Sequence, residues 1–224
     1  MRIAIAALLG GLVMFLWGAF AHMVIPIGEM SMRAPVDEDK LMTALHENLP
    51  AEHAIFVLPY FDMAKADDPK AKEAFSAKAK ASPFAFIVYS PYGRDYMEMG
   101  ANLFHQWLSD TLAALLIVLI LIRAAVSPVR GLYVGLAFGV FAWLSLMVPF
   151  WNWYRFPAAF TVGTLIEQAF GWLLAGAVMG WWLGRGVKKG FAARCTSSGG
   201  RQVGFARCSA RRNLHGTDPE GPRV

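Results

Sequence analysis

Residues 102–123 read NLFHQWLSDTLAALLIVLILIR, an apolar run that contains one carboxylate, Asp110, about two turns from its start. A helix of about 20 predominantly apolar residues is long enough to cross about 30 Å of hydrocarbon. A carboxylate at that depth is costly unless it faces other polar groups or water. The stretch therefore predicts a membrane-spanning helix and, with it, a polar environment for Asp110 inside a helix bundle.

Three more stretches of similar length and apolarity predict a polytopic membrane protein. Of the 224 residues, 56% are hydrophobic and 17% are charged, which is unlike a soluble domain. We predict an all-α transmembrane bundle of four helices, with a small extracytoplasmic α/β insertion between the first two. The predicted helices are residues 1–27, 103–122, 131–150 and 158–183, of which the last three form the 103–184 membrane portion.

The distribution of charge predicts the orientation of the four helices. Residues 28–102 hold twelve acidic and eight basic residues, whereas Arg2, the 123–130 connection and the chain from Arg185 onward hold twelve basic and two acidic residues. Positive charge close to helix ends is typical of the cytoplasmic side. Both termini are therefore expected inside, and residues 28–102 and the 151–157 connection outside.

The first segment has two interpretations. Its basic start, its apolar stretch and the small-residue pattern around Ala19 and Ala21 are compatible with a cleaved signal peptide. Its apolar run, however, continues to Ile25 and exceeds the usual 7–15 residues of a signal-peptide core. The length favours an uncleaved helix.

The segment outside the membrane, residues 28–102, alternates helical and extended patterns. Asp37 precedes a helical pattern that stops at Pro50, and Asp68 with Pro69 opens a second, Lys- and Ala-rich helix. Residues 54–61 and 83–93 are predicted strands. Because a helix lies between the strands, we expect them to pair in parallel.

Residues 185–224 are rich in Gly, Ser and Arg and show no apolar period. We predict a disordered, basic cytoplasmic tail that lies near anionic lipid. The Arg content also permits nucleic-acid binding, but aromatic residues are too sparse among the basic ones to favour it. Cys195 and Cys208 lie in this tail, and their spacing is not a zinc pattern.

Two series of glycines at four-residue spacing predict close contacts between helices. Small residues at this spacing allow helix backbones to approach one another. We interpret them as packing positions rather than as a cofactor site. The residues are Gly131, Gly135, Gly139, Gly176, Gly180 and Gly184.

The ionisable residues within the spans all fall in the predicted outer half of the membrane. From the helical rise, His22, Asp110 and Glu167 lie between roughly 7 and 12 Å below the outer ends of their helices. His105 begins the second span, and Arg155 at the outer rim is close enough to turn toward either carboxylate. These five residues form the candidate polar cluster of the sequence.

This cluster allows three interpretations. In the first, it holds the helices together and supports the outer region, residues 28–102. In the second, it is an outward-facing site for a proton, a cation or a small solute. The third is haem or metal ligation by His22 and His105, although two histidines alone give no ligand spacing. We expect no metal and no cofactor.

Enzyme motifs are absent from the sequence. It contains no Gly-rich phosphate loop, no HExxH, no CxxC and no nucleophile elbow. Membrane enzymes often lack such motifs, so enzymatic activity is left open, although a non-enzymatic role is favoured.

The stretches FLWGAFAHMVIPIGEM (15–30) and WNWYRFP (151–157) resemble parts of small uncharacterised bacterial multi-span inner-membrane proteins. The resemblance covers residues 1–184 and excludes the tail. It implies a bacterial plasma (inner) membrane location and a multi-pass helical architecture, and it implies no activity.

We therefore expect an accessory or interaction protein whose outer region, residues 28–102, binds a protein partner at the membrane surface. The alternative is a small proton- or ion-coupled transport protein that uses Asp110, Glu167 and His22. In that alternative we expect a homo-oligomer, because four helices enclose little room. The lipid bilayer is the expected surrounding, and no nucleic-acid partner is expected.

Overall fold

The structure is a computed structural model that describes residues 1–93, 95–123 and 127–197, with side chains described up to residue 185. The described chain is mostly helical and contains one small sheet. The helices are α1 (Arg2–Met23), α2 (Glu38–Asn48), α3 (Pro69–Ala81), α4 (Gly100–Leu121), α5 (Pro128–Ala142), α6 (Val148–Tyr154) and α7 (Ala158–Ser197). The strands are β1 (Ala54–Leu58) and β2 (Ala85–Tyr89).

Four helical segments are long and apolar enough to cross a membrane, as the sequence predicts. They are Arg2–Met23, Gly100–Leu121, Pro128–Tyr154 and Ala158–Arg185. In the third segment a π-helical turn, Trp143–Met147, joins α5 to α6. Such turns insert one wide backbone loop into an otherwise continuous helix.

The helix ends differ from the predicted ones where proline acts. The first helix ends at Met23 and not at residue 27, because Pro26 lacks an N–H and disfavours helical backbone at the residue before it. The third begins at Pro128 and not at residue 131, because the Ser127 side chain accepts a hydrogen bond from the backbone N–H of Arg130 at 3.2 Å and caps it.

The long helices pack in the spatial order α4, α1, α7, α5, with each neighbour antiparallel to the next. The apolar core lies where α1, α4 and α7 meet, and Ile117, Leu121 and Met179 are its largest fully buried side chains. At one end of the bundle the guanidinium of Arg2 donates a hydrogen bond to the carbonyl oxygen of Leu183 at 2.7 Å. This bond connects the beginning of α1 to α7 at Leu183.

Glycines form the contact between α5 and α7. A Cβ atom on Gly131, Gly135 or Gly139 would meet backbone atoms of α7, and one on Gly176 or Gly180 would meet backbone atoms at or just before α5. The two backbones are therefore separated by no side chain at these positions, as small residues at four-residue spacing allow. We call this contact the glycine seam.

The region between α1 and α4 contains the predicted helices, each with the predicted cap. The side chain of Asp37 accepts from the backbone N–H of Lys40 at the start of α2, and that of Asp68 accepts from Lys70 at the start of α3. These are local interactions that need only the capping residue and the next turn.

The two strands pair antiparallel, and the predicted parallel pairing is wrong. Leu58 at the end of β1 lies opposite Ala85 at the start of β2, and Ala54 lies opposite Tyr89. Residues 59–68, which contain the short 3-10 turn Met63–Lys65, carry the chain away from β1 before α3 brings it back. The helix therefore returns the chain to the end of β1. A parallel crossover requires a return to the beginning of β1.

Aromatic rings connect this sheet to the membrane helices. Phe86 of β2 has its ring centroid 4.8 Å from that of Tyr154 in α6 and 6.0 Å from that of Phe156. Arg155 between them adopts the left-handed conformation with φ 56°, which ends α6 and lets the backbone N–H of Phe156 bond back to Phe150. The sheet therefore packs on the segment that connects the third and fourth spans.

Helix α7 continues to Ser197. Disorder was predicted from residue 185 onward, so the backbone from residue 185 to 197 is helical where the sequence favoured disorder. The remainder of the predicted tail, residues 198–224, lies outside the described residues.

Candidate functional site

The centre of the candidate site is a contact between α1 and α7. Nε2 of His22, in the last turn of α1, lies 3.4 Å from Oε1 of Glu167. The Glu167 side chain is 14% exposed and that of His22 is 44% exposed, so the carboxylate is the more enclosed partner. The indole N–H of Trp17 donates to the backbone carbonyl of Glu167 at 2.9 Å. One turn of α1 therefore contacts both the backbone and the side chain of residue 167.

Two glycines define the space around this pair. The imidazole of His22 packs directly on Gly28, where a Cβ atom would overlap the ring. Gly18 lies on the other side, and a Cβ atom there would be 3.8 Å from Oε1 of Glu167, an ordinary contact distance. Gly28 thus sets the position of the imidazole, whereas Gly18 leaves the carboxylate some room.

Asp110 is the most deeply buried charged residue in the described chain, at 6% exposure. Its Oδ1 accepts a hydrogen bond from Nε2 of Gln106, one turn earlier on α4, at 3.1 Å. Among the described residues, the polar environment that the sequence predicts for Asp110 therefore comes from Gln106 on its own helix.

Beside Asp110, the contact between α1 and α4 is tight. A Cβ atom on Gly11 would meet the backbone and the hydroxyl of Thr111. Among the described residues, no hydrogen-bond partner faces the buried Oγ1 of Thr111. The free-energy cost of removing such a hydroxyl from water is not offset by a hydrogen bond within the protein.

Two of the five predicted residues lie apart from this group. His105 is exposed, and its ring contacts the neighbouring Phe104 at a centroid distance of 6.0 Å. The guanidinium of Arg155 lies over the ring of Phe84, 5.8 Å from its centroid, on the side of the outer region. Within the described ranges, Arg155 forms no ion pair with either carboxylate.

A cavity of about 410 Å³ opens at the same end of the bundle. The chain that follows α1 forms one wall of it, and the first turn of α7 forms the other. Its lining residues are Pro26, Glu29, Met30, Ser31, Met32, Arg33 and Ala159.

The arrangement brings one imidazole and one carboxylate into contact, and such a pair can share a proton when the histidine is charged. Across the described side chains, no group of three or more His, Cys, Asp or Glu residues is placed to hold a metal ion.

Sequence reasoning missed the roles of Gly28, Trp17 and Thr111. Gly28 follows the end of α1, so no helical period connects it to His22. Trp17 lies within an aromatic-rich stretch and carries no signal that its N–H is used. Thr111 follows Asp110 and is masked by the stronger signal of the carboxylate.

Taken together, the fold and the site define a four-span helical membrane architecture with a small sheet-containing region and a polar contact between its helices. Comparison of the chain with protein-family models, with curated proteins and with solved structures finds no significant match.

Proposed function

We propose that this chain is a non-enzymatic accessory protein of the bacterial inner membrane whose outer region, residues 28–102, binds a protein partner. The observation that carries the proposal is that this region has almost no core of its own. No residue of α2 or α3 is buried, and Tyr89 is the buried residue of the two strands. A region of this size that functions alone normally encloses a core.

Apolar side chains are instead exposed on several of its elements. Large exposed apolar surfaces on an otherwise soluble region are typical of binding sites. Both strands also keep one edge without a partner strand in the described chain, and such edges accept an added strand from another protein. The exposed residues include Leu41, Met42, Tyr60, Met63, Tyr92, Tyr96 and Met97.

The orientation in this proposal has both termini in the cytoplasm. Arg2 bonds to Leu183, and Gly180 packs on Ser127 just before Arg130, so these basic residues share one end of the bundle. Residues 28–102 leave from the opposite end. Basic residues at one end support a cytoplasmic position for that end.

The test is site-specific photo-crosslinking in native membranes. A photoreactive phenylalanine analogue replaces Tyr60, which is 70% exposed, and in the matched control it replaces Tyr133 of α5, which is 65% exposed. We expect one discrete protein adduct from position 60 and none from position 133. The adduct should persist in Asp110→Asn and Glu167→Gln and disappear in Tyr89→Asp, which disrupts the buried side of the sheet.

The absence of a protein adduct at position 60, and at position 42 as a second site, would contradict the proposal. Equal adducts from positions 60 and 133 would contradict it as well, because they would show unspecific proximity within the membrane.

A second candidate function is supported by the His22–Glu167 contact and the burial of Asp110. In it, the chain is a proton- or ion-coupled transport protein, because ionisable groups inside a bundle commonly lie on ion pathways. Purified protein in liposomes that contain a pH-sensitive dye tests it. Proton entry that is lost in both Asp110→Asn and Glu167→Gln would support transport, and no entry above that of empty liposomes would exclude a proton pathway.

A further inference from the structure

Both faces of the two-stranded sheet carry mostly apolar side chains, and one of the two contains Phe86. Side chains alternate between the two faces of a strand, so Ile55 and Val57 of β1 share a face with Phe86 and Val88 of β2. The register pairs Ile55 with Val88 and Val57 with Phe86. We call these four residues the apolar sheet face.

The direction of the apolar sheet face follows from Phe86. The ring of Phe86 contacts Tyr154 and Phe156, which lie at the outer end of the third and fourth spans. Ile55 and Val88 project from the same side of the sheet as Phe86. Because strands rise about 3.3 Å per residue, their row lies about 7 Å from that of Phe86.

Ile55 and Val88 are nevertheless left uncovered by the described chain, at 59% and 68% exposure. The apolar sheet face is continuous with exposed aromatic residues of α6, because Phe86 packs on Tyr154, and Trp153 beside it is 75% exposed. Trp and Tyr are typical of the level of lipid headgroups, where an amphipathic ring is both buried and hydrated. Arg155, exposed next to this group, provides a cation at the same level.

We propose that the apolar sheet face rests on the bilayer, with Ile55 and Val88 inserted between lipid headgroups next to the outer end of α6. The sheet then lies along the membrane surface, and the lipid covers the pair that the protein leaves exposed. The polar layer on each side of the hydrocarbon is about 5–7 Å thick, which is sufficient to receive two aliphatic side chains. This inference does not depend on the partner protein of the proposed function, because that partner would bind the edges and helices on the other sides.

The experiment places a fluorescent label on single cysteines in nanodiscs. In a background with Cys195 and Cys208 replaced by Ser, the label is attached to Val88→Cys or, as a matched control, to Leu58→Cys. Leu58 lies in the same sheet on the opposite face and is 43% exposed. Lipids that carry a quencher near the headgroup should quench the label at position 88 several-fold more than the label at position 58, and iodide in the water should show the reverse preference.

Two results would overturn the proposal. Equal quenching of both labels by iodide, without quenching by the lipid, would place Val88 in water. Protection of position 88 from both quenchers would show that protein covers it, whether a partner or a second copy. Ile55→Cys serves as the second variant if Val88→Cys alters the thermal unfolding of the protein.

Discussion

The imidazole of His22 lies between Gly28 and the carboxylate of Glu167, in contact with the first and with its Nε2 at 3.4 Å from Oε1 of the second. Gly28 contributes a backbone position without a side chain, and Glu167 contributes a carboxylate on a different helix. The contact between α1 and α7 at this end of the bundle therefore involves the position of the ring as well as the carboxylate.

A double-mutant cycle on His22→Ala and Glu167→Gln should give a favourable but small coupling free energy. Because the His22 side chain is 44% exposed, we expect less than about 1 kcal/mol in mixed micelles, as for other partly exposed pairs. Denaturant titration of wild type, the two single variants and the double variant measures it. A coupling free energy of zero would contradict the interpretation of this contact as a stabilising pair.

Replacement of Gly28 by Ala should abolish this coupling while both partners are still present. The new Cβ would overlap the imidazole and displace the ring from the position in which it contacts Glu167. Gly18→Ala is the matched control, since its Cβ would meet Oε1 of Glu167 at 3.8 Å and needs no displacement. The same double-mutant cycle in each background provides the measurement. An unchanged coupling in Gly28→Ala would show that the ring can move without losing the contact.

Substitution of Gly135 by Ala should destabilise the bundle through the glycine seam. The added methyl group meets the backbone carbonyl oxygen of Trp172, and forced overpacking of this kind costs about 1–3 kcal/mol. Gly100→Ala is the control, because a Cβ atom at Gly100 meets nothing within 4 Å. The free energy of unfolding in mixed micelles distinguishes the two. Equal stability of both variants would mean that α5 and α7 can separate without loss.

Thr111→Val should leave the protein as stable as wild type or more stable. The Oγ1 of Thr111 is buried without a hydrogen-bond partner in the described residues, so removing it saves a desolvation penalty of about 1–3 kcal/mol. The branched shape that packs on Gly11 is retained. Thr111→Ser is the control, because it keeps the hydroxyl and loses the methyl group. A less stable Val variant would reveal that a bound water or another molecule satisfies the hydroxyl.

Asp37 should keep α2 capped until strongly acidic pH. The side-chain interaction with Lys40, followed by the hydrogen bond from its backbone N–H, lowers the pKa of the Asp37 carboxyl below its ordinary value. Because the folded-state pKa is lowered, its contribution to stability is complete above about pH 4 and is lost as the pH falls through the folded-state pKa. The protection factor of the Lys40 amide in hydrogen exchange measures the loss. In Asp37→Asn, which keeps the cap without a titrating charge, this protection factor should not decrease over the same pH range.

Features that depend on neighbouring residues could be predicted from the sequence. The caps of α2 and α3 are contacts within one turn, and the depths of His22 and Glu167 depend only on the rise along each helix. Both therefore follow from residue order, and the structure places His22 and Glu167 in contact. The direction of strand pairing could not be predicted, because it depends on the path of residues 59–68.

The separation of His105 and Arg155 from the site has a similar reason. His105 and Asp110 are five residues apart, which places them about 140° apart around a helix. Positions along the helix axis alone, from which the depths follow, do not separate the two residues. Arg155 is held over Phe84 by the way the sheet packs on the helices. That packing joins residues distant in sequence, so no local pattern indicates it.

The contacts of α7 with α5 and with α1 differ in how much movement between the helices they allow. The glycine seam joins backbone to backbone, so no change of rotamer can alter its spacing. The contact with α1 contains Met14 and Met179, and methionine is unbranched and fills a gap in several conformations. If the bundle adopts a second conformation, α1 and α4 would slide as one body along the fixed α5–α7 pair. Such a movement would change the distance between His22 on α1 and Glu167 on α7, because the two residues lie on different bodies.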